Sequence, residues 1–113
     1  MSVNPIRAEK LLTLGDKTYK ARMSLDTIKR VENACGMGFM GIAQSLQTGN
    51  ITTEKMESIL YLAIRAGGSD VNQTDISILT DKIGYIETVK ITGELLALAL
   101  DVQLDNTEKK TTI

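Results

Sequence analysis

Few residues here have the type or spacing to do chemistry. The chain of 113 residues contains no histidine and one cysteine, Cys35. A histidine-based triad, a histidine-containing zinc site and a disulfide within one chain are therefore excluded. Gly36-Met37-Gly38-Phe39-Met40-Gly41 carries the skeleton G-x-G-x-x-G. A dinucleotide fingerprint must leave a strand and enter a helix inside a βαβ unit. This one follows a helical pattern, so it reads as a turn between packed helices. Asp70, Asn72, Thr74 and Asp81 fall at calcium-loop positions, but Asp75 stands where that loop needs glycine and the closing glutamate is missing. The segment reads instead as a linker and helix cap. Glu54 and Glu57, like Glu87 and Glu94, are expected on solvated helix faces rather than as convergent acid–base pairs. Lys17, Lys20, Arg22, Lys29 and Arg30 form a basic cluster, but Asp16, Asp26 and Glu32 interrupt it. No catalytic, cofactor-binding or metal-binding residue is expected, and the chain does not read as an enzyme.

Composition agrees with a binding protein. Lys and Arg number 13 against 14 Asp and Glu, for a formal charge of -1. That balance gives no bulk attraction to nucleic acid or membrane. Hydrophobic residues make up 42%. A chain of this size buries roughly two thirds of its unfolded surface, enough for one core without staples. The start lacks the apolar run of a signal peptide, and no stretch reaches membrane-spanning length. The expected location is the cytoplasm. Cys35, with no second thiol nearby, reads as a small inert core residue.

The elements that must position these residues are short. Lys10 to Leu14 and Lys17 to Met23 read as two strands. Gly15-Asp16 between them suits a type II′ turn. Tyr19, Ala21 and Met23 alternate with Thr18, Lys20 and Arg22, which is strand periodicity with one wet face. Ser24 is placed to cap a first helix from Leu25 to Ala34, which Gly36 and Gly38 end. A second helix spans about Phe39 to Gln47. Thr52 caps a third, with Ile51 as a hydrophobic staple, Met56, Ile59, Leu60, Ala63 and Ile64 as its apolar stripe, and Gly67-Gly68 as its end. Thr74 or Asp75 opens a fourth helix carrying Ile76, Leu79 and Ile83, and Gly84 breaks it.

The last helix is expected from Tyr85 to Leu100, with Ile86, Val89, Gly93, Leu96 and Leu100 along one stripe. The fold class is α+β, mainly α: an N-terminal β-hairpin followed by four to five short helices. Residues 1–9, with Pro5, are expected as a flexible lead-in. Residues 10–101 form a single hairpin-plus-helices domain, and residues 102–113 a flexible polar tail. The hairpin edges and the over-apolar last helix suit self-association or strand addition. Leu12, Leu14, Met37, Phe39, Met40, Leu95 and Leu98 are the candidate surface for a partner or a second copy. Met37, Phe39 and Met40 form a soft apolar segment between glycines.

These elements, taken with their residues, resemble a known family. The carrying segments are Gly15-Asp16-Lys17-Thr18-Tyr19-Lys20-Ala21-Arg22-Met23-Ser24-Leu25-Asp26, then Val31-Glu32, Gly36 and Gly41 to Leu46, and then Met56 to Gly67. Ile83-Gly84 and Leu95 to Leu100 fit the closing portion. Over residues 12–100 the chain resembles the small tail proteins of the gene transfer agent and tailed-phage tail-assembly-chaperone group, some of which carry the label tail tube protein. Val31 departs from the leucine more usual before the acidic residue. The resemblance implies a non-enzymatic factor that binds tail tube or tape-measure components during tail morphogenesis in the bacterial host cytoplasm. It carries over no catalytic residues and no cofactor. One alternative is a structural component of the virion tail. A further alternative is a small helical regulator that binds DNA, although the helices from 53 and 85 onward are mixed or acidic.

Overall fold

The computed structural model describes residues 8–111, with side chains described as far as Leu104. Of the expected lead-in, residues 1–7 lie outside the described residues, whereas Ala8 is buried and Glu9 opens the first strand. Strands β1 (Glu9–Leu14) and β2 (Lys17–Arg22) form an antiparallel hairpin in which Leu14 pairs with Lys17 and Leu12 with Tyr19. Five helices follow: α1 (Leu25–Cys35), α2 (Phe39–Thr48), α3 (Thr53–Ala66), α4 (Gln73–Ile83) and α5 (Tyr85–Thr111). The α+β, mainly α class expected from the sequence is the class observed.

Turn and cap chemistry explains most boundaries. Gly15 has φ +71° and Asp16 has no positive φ, which is the type II′ arrangement. Ser24 accepts a hydrogen bond from the Thr27 backbone N–H at 3.3 Å, and Thr52 accepts one from the Lys55 N–H at 3.1 Å. Helix α4 starts earlier than the sequence suggests. Its cap is Asn72, whose side chain accepts from the Asp75 N–H at 2.8 Å. The Asp75 carboxylate accepts from the Asn72 N–H at 3.0 Å. This reciprocal capping box accounts for the polar spacing around Asp70 to Asp75.

The core lies between the hairpin and the helices. β1 contributes Leu12 and Leu14, and β2 is continued by Met23. α3 contributes Met56, Ile59, Leu60, Ala63 and Ile64, the stripe expected from its 3.6-residue period. Its C-terminal end is seated on β2. Gly67 approaches the Lys20 carbonyl so closely that an added Cβ would overlap it. Gly67 is in ordinary right-handed conformation, with φ -77°, so its role is close packing rather than a left-handed turn.

α5 packs against α1, α2, α3, α4 and β1. Two expectations about it are corrected. Its buried residues are Thr88, Ile91, Thr92, Leu95, Leu96, Ala99 and Val102; of the expected stripe Leu96 is among them, while Ile86 is 79% and Leu100 43% exposed. Two threonines join the buried residues because their hydroxyls donate back to carbonyls one turn earlier. Thr88 donates to Gly84 and Thr92 to Thr88, both at 2.7 Å. The helix also continues past Leu100 to Thr111. No proline or glycine interrupts Asp101 to Thr111, and buried Val102 holds the next turn to the core, three residues after Ala99.

Candidate functional site

The described residues offer an apolar surface between two helices. α2 is apolar on more than one side. Phe39 and Ile42 turn inward, while Met40 is 71% exposed. Beside its buried stripe α5 carries Gly93, Ala97 and Leu100, flanked by Leu96, which belongs to the core and shows only its edge to the groove. The two helices leave an open groove of about 550 Å³ between them. Phe39, Met40, Ala43 and Leu46 line one wall, and these α5 residues line the other, with Gln44 and Gln47 beside them. Gly93 keeps the α5 wall low: a Cβ there would meet the Leu46 Cδ2 at 3.6 Å.

The residues singled out from the sequence divide by burial. Leu12, Leu14, Phe39 and Leu95 belong to the closed core, with Leu14 and Leu95 at zero exposure. Burial removes them from any free surface of the folded monomer, apart from the part of Phe39 that reaches the groove wall. The reason is that the hairpin packs on α3 through β2, and on α4 and α5 through β1, instead of standing clear. Met37 and Leu98 are partly buried against the core. Met40 is exposed and sits on the groove. Leu46, Gly93, Leu96 and Leu100 were not part of that candidate surface. The signal for the three on α5 was the width of its apolar pattern, which left two neighbouring stripes to choose between.

Two carboxylates tie elements together. Glu32 of α1 reaches forward, and its carboxylate accepts from the Phe39 N–H at 2.8 Å. That caps α2, whose own cap residue, Gly38, has no side chain to do so. Glu57 is only partly exposed. It accepts from the Thr80 hydroxyl at 2.8 Å and so joins α3 to α4, where the sequence suggested a solvated face. Cys35 is buried and free. Burial pushes its thiol pKa up, with Lys55 acting more weakly in the opposite direction. Such a thiol stays protonated and is a poor nucleophile near neutral pH. Among the described residues, no cluster of acidic, histidine or cysteine side chains is arranged to hold a metal ion. No described helix is long and apolar enough to cross a membrane.

Comparison with known proteins adds one match. Residues 7–102 match the model of a family described as phage tail tube protein, GTA-gp10. No curated protein and no solved structure matches the chain.

Proposed function

The chain belongs to the phage tail tube protein, GTA-gp10 family, and from that premise we propose that it is a non-enzymatic tail assembly chaperone. It binds tail tube or tape-measure components in the host cytoplasm and covers apolar segments that would otherwise aggregate before the tail polymerises. The observation that carries this reading is the open apolar groove between α2 and α5. A groove of two helix faces suits an apolar helix or strand from a partner. The soft side chain of Met40 adapts to more than one such segment. The sheet content points the same way. A closed ring wall is built from many tilted strands, whereas the described residues hold a two-stranded sheet.

The family's description supports a second reading, in which the chain remains in the tail as a structural subunit. Co-expression with the neighbouring tail tube and tape-measure genes tests the role of the groove. The double variant Met40→Glu, Leu100→Glu changes two exposed side chains and places charge on both walls. It is expected to lose capture of those components by at least about tenfold, equivalent to roughly 1.4 kcal/mol, with its thermal unfolding unchanged. Capture equal to wild type would show that the groove is not the receptor.

A further inference from the structure

A second cavity, on the α1–α3 side, has the opposite character. It encloses about 440 Å³. Arg22 at the end of β2, Arg30 on α1 and Arg65 in the last turn of α3 all line it, with Tyr61 and Leu62. Among the described residues, the only carboxylate on its wall is that of Asp26. Each guanidinium is held from one side by a single carboxylate. Arg22 Nη1 lies 3.5 Å from Glu9, Arg30 Nε lies 3.1 Å from Asp26, and Arg65 Nη1 lies 3.1 Å from Asp70. Arg65 Nη1 also donates to the Val71 carbonyl at 3.3 Å. A guanidinium has five N–H donors, so each retains donors that have no partner among the described residues. The three arginines are therefore oriented but not saturated.

We propose that this pocket receives acidic side chains from a protein segment. Guanidinium forks match carboxylates in a planar, two-bond geometry. The Tyr61 ring and Leu62 offer apolar surface to the methylene stem of a glutamate. A nucleic-acid backbone is the poorer fit. It calls for cations spread along a track, whereas these gather around one pit with Asp26, Glu9 and Asp70 close by. The pocket uses residues separate from the α2–α5 groove, so either site can fail its test alone.

The test follows the arginine Nε–H resonances of isotope-labelled protein during titration with a blocked tri-glutamate peptide. The controls are a blocked tri-glutamine peptide, inorganic phosphate and a short single-stranded oligonucleotide. The Arg22, Arg30 and Arg65 signals are expected to move together and saturate with tri-glutamate alone. Arg30→Gln is expected to weaken that binding about fivefold, against less than about twofold for Lys29→Gln, which removes the same charge outside the pocket. Failure to saturate would overturn the proposal. Equal weakening by the two variants would overturn it as diffuse charge attraction, and stronger binding of phosphate or the oligonucleotide would overturn it in favour of a phosphate site.

Discussion

Single residues here act mainly through what they exclude. Gly67 has ordinary backbone angles, yet a methyl group added there would overlap the Lys20 carbonyl. Because the obstacle is backbone, α3 and β2 must separate. Gly67→Ala is expected to cost about 2–3 kcal/mol, the scale of overpacking a tight contact, read as a shift in denaturant midpoint. Cys35 excludes water. Its thiol should resist a disulfide-forming reagent in the native protein at neutral pH and react fully once the chain is unfolded. Its raised pKa also has a sign for stability. The folded chain holds the proton more tightly than the unfolded chain. The contribution is therefore fully present below the ordinary value of 9.0 and is lost as pH rises beyond it toward the folded value. Cys35→Ala should flatten the fall in stability above that pH, and an unchanged slope would contradict the assignment. The sequence pointed to an inert Cys35, since a lone thiol among helical apolar positions has few other roles. It could not point to the purpose of Gly67, because Lys20 is distant in the chain and only the folded contact joins them.

Elements are legible where their signals are local. The caps at Ser24 and Thr52, the Gly15 turn and the α3 stripe all follow from neighbours within a few residues. Two features escaped for different reasons. The capping box of Asn72 and Asp75 opens the helix one or two residues ahead of the expected start, within a polar stretch where several residues were equally able to cap. The cap of α2 is borrowed from Glu32 on α1, seven residues before Phe39, so no motif within α2 announces it. Glu32→Ala is expected to destabilise the fold by about 1 kcal/mol, as loss of an N-cap does. Amide exchange should quicken first in the opening turn of α2. Protection that falls evenly over the whole chain would argue against a capping role. The apolar residues of α5 cover much of its circumference, so its periodicity alone does not single out one inward face. Burial of Thr88 and Thr92 settles which strip faces inward.

At the scale of the whole molecule, that rotation of α5 creates the groove. With Leu95 and Ala99 turned into the core, Gly93, Leu96 and Leu100 fall beside α2. The apolar composition hinted at a binding surface, but the surface became visible only when two helices from distant parts of the chain were placed side by side. Gly93 offers a direct probe of it. Gly93→Ala adds a methyl at ordinary contact distance from Leu46. It should raise stability by about 0.5–1 kcal/mol, the helix-interior preference for alanine. Gly93→Met should fill the groove and reduce partner capture while leaving the helix content unchanged. Capture undiminished by Gly93→Met would place binding elsewhere. The central claim is that the chain serves assembly and then departs. Its most direct test is to quantify the chain by mass spectrometry in purified, finished tail particles and in the lysate where tails are assembling. An assembly chaperone should associate with the tube or tape-measure protein in the lysate and fall below a single copy per finished particle. Retention in whole-number copies per tail would contradict that account and make the chain a structural subunit.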